Sequence, residues 1–406
     1  MRSVYSVTWV FLLAVWLSGC DFIVAEGEGA PGDPPSAPPE DTAPPGDDPP
    51  ADPPPEEPPS EDPPQDEPPP NDDPQPPPDF ERPPPEGRGI WISHEEIQRL
   101  PMSGPAWEAV FEQANAAAGT PNVSDQNQDN NVYVLAKALV HVRTGDERYR
   151  NEVRTNCMAA IDTELGGRTL ALGRELLAYV VAADLVGLEA DEHNAFSAWL
   201  QRTLTETLDG RTLQSTHEDR ANNWGTHAGA SRVAAAVYLN DQAEIERCAQ
   251  VFKGWLGDRG AYAAFEYGDL SWQADPSRPV GVNPADATKD GHSVDGAIPD
   301  DMRRGCSFQM PPCHTGYAWE ALQGAVAQAE ILYRQGHDAW QWQDRALLRA
   351  VQFLYDLDQR HGGWWADGDD TWQVWLVNAA YGTTFPHETP ARSGKNMGWT
   401  DWTHGP

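Results

Sequence analysis

From Ile90 onward, apolar residues recur at helical spacing along nearly the whole chain. Val132, Leu135, Ala136, Leu139 and Val142 fall at i, i+3, i+4, i+7 and i+10, and Gly145 follows where a helix would stop. Leu172, Leu176, Val180, Ala183 and Val186 repeat the pattern and end at Gly187. Further helices are predicted over residues 232–239, over 242–256 behind an Asp241-x-x-Glu244 capping box, over Tyr317–Arg334 and over 343–357. Alternating, strand-type runs are few, the best being residues 262–265, and none repeats as a βαβ unit. Paired amphipathic helices with alanine-rich faces and short glycine turns predict an all-α domain of helical hairpins stacked around an axis. Its natural closure is an α/α toroid, an incomplete helical barrel; a helical-repeat scaffold would show a fixed period, and none is visible.

The pattern fails before residue 89, and composition takes over there. Residues 1–20 carry one charge, Arg2, then an apolar run from Val7 to Leu17, then Ser18-Gly19-Cys20. That is a secretory leader ending in small residues and a cysteine, too short to span a bilayer. Small residues before Cys20 resemble the bacterial lipobox, which implies cleavage before Cys20, a lipid on its sulfur, and export as a lipoprotein anchored in the periplasm or at the cell surface. Residues 31–85 hold 26 of the 38 prolines, and residues 21–88 hold 20 acids against two arginines. Such a segment cannot build a core and is expected as a disordered, self-repelling stalk. Residues 89–406 then form the folded domain, long enough for a full core.

Charge narrows the function classes. The chain carries −35 at pH 7, and the folded part alone carries −18. Nucleic acid, whose binding leaves a basic footprint, is excluded as a partner. An anionic sugar would have to be gripped by a local cluster of Arg, Lys and His. No cysteine or histidine spacing reads as a metal site, so no metal or cofactor is expected. Besides Cys20, the cysteines Cys157, Cys248, Cys306 and Cys313 allow three pairings; Cys306 and Cys313 are near enough to close a small loop, the favoured disulfide. A monomer is expected.

Chemistry concentrates in three stretches. Arg220-Ala221-Asn222-Asn223-Trp224-Gly225-Thr226-His227 packs two amides, an indole and an imidazole ahead of an alanine-rich helix. Asn223 and His227, at i and i+4, share one helical face, and an amide beside an imidazole can hold a carboxylate and move a proton. The plainer reading makes Asn222 a helix cap and His227 a packed histidine. The long polar insert over residues 268–312 carries Arg303 and Arg304, either an anion clamp or partners of Asp300 and Asp301, and leads into His314 and Tyr317. The run from Arg392 to His404, with Lys395, Trp399 and Trp402, reads as a cleft wall or as a C-terminal clasp. Fifteen of the 17 tryptophans follow residue 89, which fits sugar stacking as well as core packing.

These features resemble the alginate lyase superfamily of helical polysaccharide lyases over most of residues 90–404. The resemblance rests on Asn222-Asn223 heading a helix, on an Asp295-Gly296 turn with Arg303-Arg304 after it, and on the Tyr317-Ala-Trp-Glu-Ala-Leu322 helix leading to Gly336-His337-Asp338-x-Trp340. It implies an α/α toroid and metal-independent β-elimination of a 4-linked uronate polymer, alginate or polymannuronate first. In that chemistry Asn223 with Arg303 or Arg304 would neutralise the sugar carboxylate, His227 would take the C5 proton, and Tyr317 would protonate the leaving oxygen. His314 stands where the family tends to place its catalytic tyrosine and is the second candidate for the acid. Asn222, Trp224, Arg303, Lys395 and Trp399 are the expected substrate contacts. A glycoside hydrolase on the same toroid, using carboxylates such as Glu266, Asp269 and Glu320, and a non-catalytic glycan-binding lipoprotein are the competing readings.

Overall fold

The computed structural model describes Pro74 and residues 80–405. The expected leader, the expected lipidation site Cys20 and most of the expected stalk lie outside those residues. The described chain is all-α. In order it forms α1 (His94–Ile97), α2 (Pro105–Asn115), α3 (Asn130–Thr144), α4 (Glu147–Ala160), α5 (Thr169–Val186), α6 (Ala190–Thr205), α7 (Leu213–Asp219), α8 (Asn223–Tyr238) and α9 (Gln242–Trp255). An insert with a two-residue hairpin, β1 (Thr288–Lys289) and β2 (His292–Ser293), and α10 (Pro299–Met302) follows. The chain ends with α11 (Tyr317–Arg334), α12 (Trp342–His361), α13 (Thr371–Tyr381) and α14 (Thr400–Thr403). No described helix is long and apolar enough to cross a membrane.

Two kinds of helix separate into two layers. In α5 every residue except Asp184 is buried, and α3, α8, α11 and α13 are enclosed almost as completely, as expected of helices that are apolar or small on all sides. The outer helices bury one stripe: α4 buries Tyr149, Val153, Asn156, Cys157 and Ala160 and turns its charges outward. Neighbours in space run α2, α3, α5, α8, α11, α13, α14 and back to α2, a closed ring with α4, α6, α9 and α12 packed outside it. The C-terminal end expected for α5 and both ends expected for α11 hold, and α8 begins nine residues before the expected 232 because Asn222 caps it. Residues 262–265 form no strand.

The inner helices touch through glycine. A Cβ on Gly324 would stand 2.3 Å from the Thr226 backbone, one on Gly173 would stand 2.9 Å from Ala228 N, and one on Gly229 would meet Gln328 at 2.4 Å. Gly324 thus faces Thr226 and His227 while Gln328 faces Gly229, so α8 and α11 run parallel. Their N-terminal ends, each the positive end of a helix dipole, lie on the same side of the ring.

Both ends of the described chain are tied into this body. Arg82, within the segment that composition assigns to the stalk, makes a bidentate pair with Glu330 at 2.6 and 3.0 Å, and its guanidinium lies 4.4 Å from the Tyr333 ring centroid. Glu330 is fully enclosed; burial alone would raise its carboxyl, but Arg82 and His404 hold it far below the usual range. The helical body therefore takes in residues 80–88, and the boundary drawn at residue 89 falls inside it. At the other end, Trp399 donates its indole N–H to Val132 O at 3.2 Å and Trp402 donates to Pro101 O at 2.9 Å. The C-terminal run is the clasp that closes the ring. Within the insert, Asp290-Gly291 takes left-handed φ of 49° and 81°, the turn a two-residue hairpin demands.

Candidate active site

The site lies at the N-terminal ends of α8 and α11, where the glycine contacts draw α5, α8 and α11 together. Asn222 caps α8: its Oδ1 accepts from Trp224 N at 3.2 Å, and its Nδ2 donates to Asp300 Oδ2 at 3.0 Å. Asn223, the first helical residue, donates its backbone N–H to Asp301 at 3.2 Å, and no protein group bonds to its buried side-chain Oδ1. One turn on, His227 is completely enclosed and neither ring nitrogen has a hydrogen-bond partner. Its Nε2 stands 3.9 Å from Glu320 Oε2.

Glu320, on the first turn of α11, is the centre of the cluster. Arg174 of α5, largely buried, is ion-paired to it, and Lys395 Nζ, from the loop before α14, lies 4.0 Å from it and 3.7 Å from Asp369. Burial would raise the Glu320 carboxyl, but the ring of His227 and the charges of Arg174 and Lys395 outweigh it and hold the group at about 2. Burial lowers His227 to about 4, an effect that Glu320 only partly offsets, so the imidazole is neutral at pH 7. Burial raises Glu175 to about 10 and keeps Asp301 and Asp370 well above the usual carboxylate range. Two cations thus flank the low-pKa carboxylate of Glu320.

Tyr317 is three residues before Glu320 on α11, hence on the same face, and is 38% exposed. The Arg304 guanidinium lies 3.7 Å from its ring centroid. Arg303 is used otherwise: it pairs with Asp300 at 2.8 and 3.2 Å, the same carboxylate that Asn222 bonds, and so braces the cap of α8. Cys306 and Cys313 are joined, with Cα atoms 5.7 Å apart, closing the loop between Arg304 and His314. His314 is exposed beside Trp364, ring centroids 5.3 Å apart. Trp224 is half-buried, with the Arg220 guanidinium 5.6 Å from its ring centroid. Trp399 is buried in the clasp, its indole packed against α3 and not open to a sugar. The fold therefore brings His227, Arg174 and Lys395 to Glu320, sets Tyr317 with Arg304 one turn before Glu320 on α11 and Asn223 one turn before His227 on α8, and uses Asn222 and Arg303 in the cap of α8 and Trp399 in the clasp.

Arg174 is the site residue that sequence reading missed, and Glu320 was read there only as a carboxylate for a hydrolase. Each looks like an ordinary charge in a helix. The one local sign is the glycine beside Arg174, Gly173, and the glycine four residues after Glu320, Gly324. Among the described residues, no group of three His, Cys, Asp or Glu could hold a metal ion.

No curated protein matches the chain. The alginate lyase family model matches residues 128–260, from just before α3 to just beyond α9, a stretch that carries Arg174, Asn222, Asn223 and His227. Over residues 128–260 the chain is thus similar to the alginate lyase family, in agreement with the resemblance that the asparagine pair carries.

Proposed function

We propose that the chain is a polysaccharide lyase that cleaves a 4-linked uronate polymer, alginate or polymannuronate first, by β-elimination without a metal. The observation that supports this reading is the meeting, at Glu320, of the family-matched Arg174 and His227 with Lys395 from outside the matched stretch, with Asn223 one turn before His227 and Tyr317 one turn before Glu320.

The reaction asks for three things. The carboxylate on C5 must be neutralised so that the C5 proton becomes acidic, a base must take that proton, and an acid must protonate the departing O4. Arg174 and Lys395 supply the positive charge, and Asn223 adds an amide at the head of α8. His227, neutral at pH 7, is the base; Tyr317, exposed with Arg304 across its ring, is the acid, with His314 the second candidate. The proton leaves C5 for the imidazole, the C5–H electron pair becomes the C4–C5 double bond, and O4 departs with the tyrosine's proton. Arginine and lysine do here what a divalent ion would otherwise do, so turnover is expected to survive chelators.

The test is a panel of uronate polysaccharides followed by ultraviolet absorbance of the unsaturated product. Absorbance that grows on one of them, and that falls roughly 10²- to 10⁴-fold in kcat in His227→Ala with the helical content unchanged, is expected. Reducing ends without absorbance would show a hydrolase, and binding without products a glycan-binding protein.

A further inference from the structure

In the structure, Arg174 and Lys395 hold a carboxylate already, and it belongs to the protein. Glu320 is pinned by Arg174, lies 4.0 Å from Lys395 and stands 3.9 Å in front of the His227 ring, which is otherwise sealed from the mouth. A carboxylate in front of a base, gripped by an arginine and a lysine, is the arrangement that a uronate sugar must adopt for its C5 proton to be removed. The clamp is open on one side only: the Glu320 side chain is 20% exposed, that of Lys395 25% and that of Asp369 40%, whereas Arg174 is 5% exposed.

We propose that Glu320 is an internal stand-in for the substrate carboxylate and the residue that sets specificity for uronates. In the free protein it occupies the clamp and covers His227. A uronate carboxylate arriving from the Lys395 side takes over Lys395 and Arg174, and Glu320 withdraws toward the mouth, uncovering the imidazole. A neutral sugar has nothing to exchange for the two cations and leaves His227 covered, so the site opens only for a sugar that carries the acid. Holding Arg174 and Lys395 on an internal anion also removes the cost of a buried, unpaired arginine between turnovers. Glu320 is in this account a positioning residue, since it acts through the groups it covers and holds.

This inference rests on the uronate lyase reading, and the test separates the two. The probe is the methyl glycoside of mannuronic acid, which has no 4-linked bond to break, with methyl mannoside as the neutral control. Dissociation constants are measured by calorimetry on the full chain and on Glu320→Gln, which keeps the size of the side chain and removes the competing charge. Glu320→Gln is expected to bind the uronide at least about fivefold more tightly, the low end of typical coupling between competing groups, with no change for the neutral sugar. Glu320→Asp, which draws the carboxylate back by one methylene, should fall between the two and serves if the glutamine variant does not fold. Equal or weaker uronide binding in a folded variant overturns the proposal, because a merely structural Glu320 would loosen the clamp when removed. A parent that cleaves a uronate polymer alongside a variant that binds no tighter sinks this inference alone. Tighter uronide binding with no polymer cleaved by the parent supports it and sinks the lyase.

Discussion

Removing Arg82 should destabilise the helical body although it lies in a stretch whose composition reads as stalk. Glu330 has no exposure, and Arg82 forms both of its short charged contacts. Breaking a buried pair by deleting one partner costs about 3 to 5 kcal/mol, because the remaining charge is left uncompensated. Here compensation is partial: the Trp340 indole N–H donates to Glu330 at 3.2 Å, His404 is 3.7 Å away and Arg334 is 4.0 Å away. The low end, about 3 kcal/mol, therefore applies. With an unfolding entropy of roughly 2.1 cal/mol/K per residue over some 320 residues, that is a fall in Tm of about 4 °C. The assay is thermal unfolding by circular dichroism of the chain begun at Phe80, of the same chain with Arg82→Ala, and of a chain shortened to begin at Gly89. The two altered chains should melt together, below the first. Because the Glu330 carboxyl is depressed in the fold, the stabilisation is present above the unfolded carboxylate range near pH 4 and is lost as pH falls below it, so the curves should converge in acid. Equal melting temperatures at pH 7 would refute the reasoning and return residues 80–88 to the stalk.

Two further outcomes follow from the site. If His227 is the base, kcat/KM should hold down to mildly acidic pH and fall as pH drops through about 4, where the buried imidazole takes up a proton; an acid limb near 6.5 in the pH profile would assign the base to an unburied histidine. Cys306→Ser with Cys313→Ser should lose about 2 to 3 kcal/mol of local stability for a loop of this length, and should lower kcat/KM because the loop joins Arg304 to His314; unchanged kcat/KM in steady-state assays would show that the loop does not shape the mouth.

The pattern of apolar positions by itself determined the class of the fold and several helix boundaries. The C-terminal end of α5 and both ends of α11 were legible because helical period and stop residues are local properties, carried by residues a few positions apart. The asparagine pair was legible for the same reason, since a cap and an i, i+4 face need only one helix. What the tertiary structure alone decided is which charges meet. Arg174 and Glu320 are 146 residues apart, and Arg82 and Glu330 are 248 apart; nothing near any of them marks its partner. They meet because Gly173, Gly229 and Gly324 let α5, α8 and α11 close backbone to backbone, and because the ring needs both chain ends to seal it. Trp399 shows the same limit from the other side: an indole in a polar run suits a sugar, but a ring that closes on its C-terminus uses that flat surface for packing. Periodicity states which face of a helix is buried; only the closed ring states what that face is buried against.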